Sequence, residues 1–304
     1  MDRLAGFLAG ATAMAATATF ANSGSIPFVA GTSVYRPNQR AVVAFDGHEQ
    51  ILLLSTDLRA NKPTQLLEVL PFPSKPKVTP GDGELFQKAA QLIEDRLAAQ
   101  QNARRGIRSG SRKRNAGNDV PGLPPAAEVP FHERIGAQDI SVVRVLDSRH
   151  FIAWTEDYLR NAGVESPSIP MRLKLLVREY LRDGFTWFVF NVIELGPDEV
   201  AKETLQYRFD TRNFYYPLRI LSGESSDATI RIILVSPRLV RMPDIHPARA
   251  RLMHQPVAID PDELKYLGGG LADFLGSQRQ QLRLWEIKGP MNRLRRDVLT
   301  GWFP

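Results

Sequence analysis

The chain has 304 residues, a formal net charge of +6 from 39 Lys and Arg against 33 Asp and Glu, and no cysteine. Disulfides, zinc–thiolate and iron–sulfur sites and cysteine nucleophiles are thereby excluded together. A hydrophobic content of 43% is enough for a sizeable core, and the length fits one large domain or two small ones.

The N-terminus reads Met1-Asp2-Arg3, then small and apolar residues from Leu4 to Ala21, then the polar cluster Asn22-Ser23-Gly24-Ser25. That is the layout of a secretory signal peptide. Thr19-Phe20-Ala21 offers small residues at both specificity positions for a cut after Ala21, with Ala16-Thr17-Ala18 as a competing site. The weak feature is the n-region, where Asp2 cancels Arg3; an uncleaved anchor or an unstructured tail is the alternative. Residues 1–21 are therefore expected to be a signal peptide and the mature chain to be exported, to the periplasm or the medium. The alanine- and threonine-rich leader is only mildly apolar, and the later apolar run from Phe185 to Leu195 is too short to span a bilayer, which takes about twenty apolar residues.

Ala41-Val42-Val43-Ala44-Phe45 leads into Asp46-Gly47, a dipeptide suited to a tight hairpin because glycine accepts positive φ. The returning strand is expected over Gln50 to Asp57 and a third over Gln65 to Leu70. Pro71, Pro73 and Pro76, which lack an N–H, are expected to stop the ladder. Asp82 can cap a helix from Gly83 to about Gln101, with Leu85, Ala89, Leu92, Ile93 and Leu97 on one face.

Apolar periodicity is lost over 102–134. This segment carries Arg104, Arg105, Arg108, Arg112, Lys113, Arg114 and Arg134 against Asp119, Glu128 and Glu133, which is +4 of the whole +6. It reads as a flexible basic insertion, so the net charge describes a segment more than a face of the fold. Order resumes with a strand over Gln138 to Leu146. Helices follow over Ser148 to Ala162, with Phe151, Ile152, Thr155 and Leu159 inward, and over Met171 to Asp183, ended by Gly184. Phe185 to Ile193, apolar on both faces, predicts a central strand covered on both sides. Further strands fit Thr204 to Phe209, Leu218 to Ser222, Ala228 to Ser236, Leu252 to Ile259 and Leu282 to Ile287. A helix capped by Asp260 runs to Leu275, weakened by Gly268-Gly269-Gly270. Clustered strands and grouped helices predict an α+β fold of mixed, mainly antiparallel sheets with three to four packed helices. Segments 22–101 and 135–304 are expected to pack as one domain around the insertion.

Two stretches are distinctive in combination: Asn38-Gln39-Arg40-Ala41, and Leu70-Pro71-Phe72-Pro73-Ser74-Lys75-Pro76. With Val145-Leu146-Asp147 leading to Trp154 and Leu159, and with Tyr216-Pro217-Leu218-Arg219, they make residues 35–240 resemble the secreted prokaryotic family of domain of unknown function 2330. The resemblance implies a secreted or envelope-associated protein of unknown activity, with no established active site to carry over. An N-terminal cysteine and the disulfide or lipid anchor it would allow are missing here, and the basic insertion is added.

Ser74-Lys75-Pro76-Lys77 matches Ser-x-x-Lys formally, but that chemistry needs the serine to open a helix so that the lysine one turn later can take its proton. Pro76 and the extended reading of the segment oppose this, and no Ser-Asp-Asn or Lys-Thr-Gly follows. A solvated proline-rigid loop is the plainer reading. A partner contact through Ser74, Lys75 and Lys77 is the functional one, since little entropy is lost in fixing such a loop. His246 and His254 with Asp244 could meet as a metal site, but surface or turn histidines are the plainer account. Gly81-Asp82-Gly83-Glu84 lacks the ligand series of a calcium loop, and no nucleophile elbow, phosphate loop or dinucleotide fingerprint occurs.

A solvated linker without a partner is the plainer reading of the tract bearing Arg104, Arg105, Arg112, Lys113 and Arg114; as a contact it suits an anionic envelope polymer or an envelope protein. It lacks the interleaved aromatics of a single-strand nucleic-acid binder. No catalytic, metal or cofactor residues are assigned. The function expected is that of a non-enzymatic exported binding or interaction protein. The alternative is a periplasmic or extracellular hydrolase whose carboxylates, Glu203 and Asp244 among them, are assembled only by the fold.

Overall fold

A computed structural model describes residues 24–29, 31–35, 38–104, 132–135, 138–161, 163–164, 167–198, 200–201, 203–223 and 227–303. The leader 1–21 and most of the basic tract, including Arg105, Arg112, Lys113 and Arg114, lie outside these.

Asp46 and Gly47 make the expected hairpin between β3 (Asn38–Phe45) and β4 (Glu49–Ala60). The Asp46 carboxylate accepts from the His48 and Glu49 N–H groups at 2.7 and 2.8 Å, and Gly47 takes φ +106°, closed over by the Trp302 ring. Side chains alternate cleanly on both strands: Ala41, Val43, Phe45, Leu52 and Leu54 enter one core, while Val42, Ala44, Ile51 and Leu53 enter a second on the opposite face. A sheet buried on both faces must be covered twice.

The sheet around this hairpin is the larger of two. Its path runs β14 (Arg249–Leu252), β16 (Gln280–Pro290), β13 (Asp227–Ser236), β3, β4, β11 (Leu205–Asp210) and β6 (Lys77–Pro80). β2 (Val34–Tyr35) and β10 (Val200–Ala201) pair with β4, and β15 (Val257–Ile259) pairs with β16. Among the described residues only the β13–β3 pair is parallel. The smaller sheet is β1 (Ser25–Pro27), β5 (Thr64–Phe72), β9 (Trp187–Leu195), β8 (Gln138–Arg144) and β7 (His132–Ile135), all antiparallel. The apolar run read as a central strand is β9, in the middle of that sheet.

Helices close both outer faces. On the larger sheet lie α1 (Glu84–Arg104), α4 (Pro261–Leu267) and α5 (Leu271–Leu275), burying Leu85, Ala89, Ile93, Leu264, Leu267 and Leu271. On the smaller sheet lie α2 (Ser148–Asn161) and α3 (Met171–Arg182), where Phe151 meets Phe188 and Phe190, and Tyr180 meets Phe188 edge-on. The order is helix, sheet, sheet, helix, an α+β fold with mixed and mostly antiparallel sheets. Each sheet combines strands from before and after the basic insertion. A ribbon of β12 (Phe214–Tyr216) and β17 (Val298–Thr300) covers the part of the larger sheet's inner face that the smaller sheet leaves.

Several sequence expectations are corrected. Five α-helices are described where three to four were expected, because the Asp260-capped helix is two: Gly268, Gly269 and Gly270 all take positive φ, +78°, +63° and +69°. A Cβ on Gly269 would stand 2.6 Å from Leu85, so the break also admits α1. Leu218 to Ser222 is not a strand but enters a 3-10 helix over Arg219–Gly223, with the Leu221 N–H bonded to the Leu218 carbonyl at 3.1 Å. Leu252 to Ile259 is interrupted. β14 ends at Leu252, and the His254 imidazole takes over the acceptor role of a strand carbonyl, receiving the Leu284 N–H at Nε2, 3.2 Å.

Candidate functional site

Proline does not stop β5 where the sequence suggested. Pro71 sits in the strand opposite Phe188. Alternate peptide groups of β5 point toward β1: Ile26 stands opposite Leu67, and the Val69 N–H bonds the Gly24 carbonyl at 2.6 Å. Pro71 is the next such position, past the end of β1, so its missing N–H costs no ladder bond. Its carbonyl accepts from the Tyr215 hydroxyl at 3.0 Å. Phe72 follows on the inner face, 5.1 Å from the rings of both Tyr207 and Phe209 on the larger sheet.

The chain then crosses from one sheet to the other. Ser74 donates its hydroxyl to the Asp210 carbonyl at 2.8 Å, pinning the crossing to the end of β11, and β6 adds itself to that strand's edge. Lys77 therefore lies in a strand opposite Arg208, and Ser74 in a bend. The helical geometry that Ser-x-x-Lys chemistry requires is absent, and the serine proton is already donated.

Phe72, Trp187 and Arg144 form one cross-strand rung at the end of β5, β9 and β8. Lys75 folds back over it, so that Lys75 Nζ and the Arg144 guanidinium carbon each lie 5.7 Å from the Trp187 ring centroid. Trp187 is half-buried, and both cations are exposed. Neither they nor Lys77 pairs with a carboxylate among the described residues. Each cation–π contact at such exposure contributes about 0.5–1 kcal/mol. Its larger effect is to hold two positive charges beside one aromatic surface on a proline-stiffened frame.

Arg104 ends α1; nothing is described of its side chain. The other proposed sites do not converge. Asp244 and His246 are exposed on the loop before β14, and Glu203 is exposed beside β11, at the far end of the same sheet. Both ring nitrogens of His254 are engaged, Nδ1 with the Gln255 carbonyl at 2.6 Å and Nε2 with Leu284. Among the described residues no three His, Asp or Glu side chains gather to hold a metal ion.

The family model for "Uncharacterized protein conserved in bacteria (DUF2330)" matches residues 17–270. The chain belongs to that family. No curated protein matches it. Among solved structures, the DUF2330 chain is similar to the crystal structure of baculovirus P35, at 8% identity over 92% of this chain and 100% of that one, with a TM-score of 0.38. A mutated baculovirus P35 after caspase cleavage is similar at 8% identity over 89% and 100%, with a TM-score of 0.35. TM-scores this low carry nothing about fold or function.

Three of the segments by which the DUF2330 resemblance was read meet in the fold. Gln39, Leu70, Tyr216 and Pro217 line one small cavity of about 10 Å³ between the sheets, together with Glu68. The Tyr216 hydroxyl donates to Gln39 Oε1 at 2.5 Å, and Gln39 Nε2 donates to the Thr56 hydroxyl at 3.3 Å. The volume is that of about one water. These distinctive residues join the two sheets; they do not form a substrate pocket.

Sequence reasoning missed the buried ionic cluster that follows Pro217. Asp297, 6% exposed at its side chain, accepts from the Tyr180 hydroxyl at 2.8 Å and the Arg219 N–H at 2.7 Å. The Arg219 guanidinium lies 4.0 Å from the Tyr180 ring, 3.7 Å from Asp297 and 2.6 Å from Asp183. Burial pushes the Asp297 carboxyl up to about 6, against the pull of Arg219 and these hydrogen bonds. Burial and the Asp297 charge raise the Tyr180 phenol well above its ordinary range. A lone Asp in a basic C-terminal run offers no signal of this role. Trp187 and Arg144 were missed for a smaller reason: each sits at a strand end, and only the register puts them on one rung with Phe72.

Proposed function

We propose that this DUF2330 chain is an exported interaction protein of the bacterial envelope, holding an anionic envelope polymer against the Lys75–Trp187–Arg144 surface. The observation that carries this reading is the pair of cations stacked on one half-buried indole without a carboxylate of their own. Two positive charges held side by side over one aromatic ring suit the acidic groups of a polysaccharide, through charge pairing. Lys77 and the tract Arg104, Arg105, Arg112, Lys113 and Arg114 add long-range attraction, and Ser74 holds the crossing in place.

Export rests on the leader pattern of residues 1–21. No described helix is long and apolar enough to cross a membrane. The hydrolase alternative draws little support from the geometry, since Glu203 and Asp244 lie apart and Asp297 is engaged by Tyr180 and Arg219.

The test is sedimentation of the mature chain with an insoluble acidic polysaccharide such as crosslinked polygalacturonate. Binding should fall steeply between 50 and 200 mM salt and drop about tenfold in Lys75→Ala/Arg144→Ala. Equal binding by that variant would remove the surface from the proposal. Turnover of envelope-derived glycans, esters or peptides that a single carboxylate substitution abolishes would replace it with the hydrolase.

A further inference from the structure

Leu173, Leu176, Val177 and Tyr180 turn one side of α3 into the core. The 3.6-residue period puts Met171, Leu175, Arg178 and Arg182 on the opposite side, and all four are exposed. Met171 is 68% exposed and Leu175 39%, one turn apart, so their apolar surfaces adjoin. Beside this face runs the segment that follows Met291–Arg293. Its Asp297 meets Tyr180 towards the end of the helix, and its Arg295 stands close enough to Arg172, at the start, for the two charges to repel.

The cations on this surface are unmatched. Arg172 donates to the Ser222 hydroxyl at 2.6 Å and Arg295 to the Asn292 carbonyl at 3.5 Å. Among the described residues no carboxylate forms an ion pair with Arg172, Arg178, Arg182 or Arg295. Partial burial, and then the Arg295 charge, push Arg172 below its ordinary range against the weaker pull of Glu179. Three exposed arginines elsewhere have the more usual arrangement: Arg160 pairs with Asp157, Arg40 with Asp57 and Arg208 with Glu49. A soluble acidic polymer would use these charges alone. Met171 and Leu175 gain only where apolar surface leaves water, and an anionic bilayer rewards both features, with phosphates for the guanidinium groups and acyl chains just beneath them. Long arginine stems let the charged heads stay at phosphate level while the two apolar side chains go deeper.

We propose that the outward face of α3, carrying Met171 and Leu175 with Arg172, Arg178, Arg182 and Arg295 beside them, docks on the surface of an anionic lipid bilayer. The two apolar side chains enter the boundary between headgroups and acyl chains, and the arginines bind lipid phosphates. The helix stays packed in the fold and lies on the membrane without crossing it. These residues are separate from Lys75, Trp187 and Arg144, and the inference depends on nothing proposed for that surface.

Flotation of the mature chain with vesicles at physiological salt tests this, mixed phosphatidylglycerol and phosphatidylcholine against phosphatidylcholine alone. The chain should bind the mixed vesicles and not the neutral ones. Arg178→Gln/Arg295→Gln should weaken binding roughly thirtyfold. Met171→Ser/Leu175→Ser should weaken it about tenfold and leave Tm within about 2 °C, because both side chains already face water. The basic tract around Arg112 also attracts anionic vesicles, so the place of contact is read separately. The chain has no cysteine, and Met171→Cys therefore carries a single environment-sensitive dye. Its emission should shift to the blue on mixed vesicles, while the same dye at Tyr266→Cys, an exposed position of α4 on the opposite outer layer, should not respond. Lys75→Ala/Arg144→Ala should bind vesicles as the parent chain does. No preference for the mixed vesicles, a Met171→Ser/Leu175→Ser variant that binds like the parent, a silent dye at position 171 on bound protein, or loss of vesicle binding in Lys75→Ala/Arg144→Ala would each overturn the proposal.

Discussion

Two buried arginines in this protein sit in opposite surroundings. Arg219, at the junction of α3 with the turn after β12, has Asp297 and Asp183 as carboxylate partners and the Tyr180 ring beneath it, and its pKa is raised. Arg283, on β16, has only the Trp285 ring, and its pKa is lowered. Both are withdrawn from water. Burial disfavours each charge, and the partner decides whether the charged form is nonetheless held. The first arrangement joins a helix, a turn and the C-terminal segment. The second leaves hydrogen-bonding capacity unspent.

The largest effect expected from breaking this contrast is at Asp297. Asp297→Ala strands the Arg219 charge in the core with the half-exposed Asp183 alone, and should cost about 3–5 kcal/mol in urea unfolding. A cost below about 1 kcal/mol would show that Asp183 suffices. The next effect is on pH dependence. The folded Asp297 carboxyl is raised from 3.8 to about 6, so between those values the native state holds a proton that the unfolded chain has released. Stability should therefore rise as pH falls through 6, and this gain is lost as pH rises through the same value, by about 3 kcal/mol overall. The difference between the parent chain and Asp297→Asn across pH 4–7 isolates the effect; a flat difference would contradict it.

Arg283→Met should move the other way, stabilising the chain by about 1–2 kcal/mol. Smaller still is the expected effect at the exposed cations: Lys75→Ala/Arg144→Ala should cost less than about 1–2 kcal/mol in stability, two weak cation–π contacts, while it lowers polyanion binding tenfold. Deleting residues 106–114, which carry no apolar face in sequence, should leave the thermal transition within about 1 °C. A large fall would make that tract part of the core.

Much of the fold was readable in order. The Asp46-Gly47 hairpin, the Asp82 cap whose carboxylate accepts the Glu84 N–H at 2.9 Å, α2, α3 and the doubly covered β9 all follow from periods of 2 and 3.6 and from turn chemistry. The misreadings fall where tertiary contacts override the local pattern. Leu218 to Ser222 has strand composition, but Asp297 holds the Arg219 N–H and turns the backbone into a 3-10 helix. Pro71 is tolerated inside β5 because β1 has already ended. The candidate site was half legible: Lys75 was visible as a charge on a stiff loop, whereas Trp187 looked like a fully buried strand residue.

The sequence by itself determined most of the elements, the exclusion of thiol chemistry and the family, because each depends on residue types or on neighbours along the chain. Tertiary structure alone decided the rest. It set which sheet each strand joined, that the Pro73–Pro76 crossing links the two sheets, and that Lys75 and Arg144, 69 positions apart, share one indole. It also decided that Arg219 meets Asp297 while Arg283 meets no acceptor. Pairing of charges and of hydrogen-bonding groups across such separations depends on strand register and layer packing, and a one-residue change of register would turn every side chain of a strand to its other face.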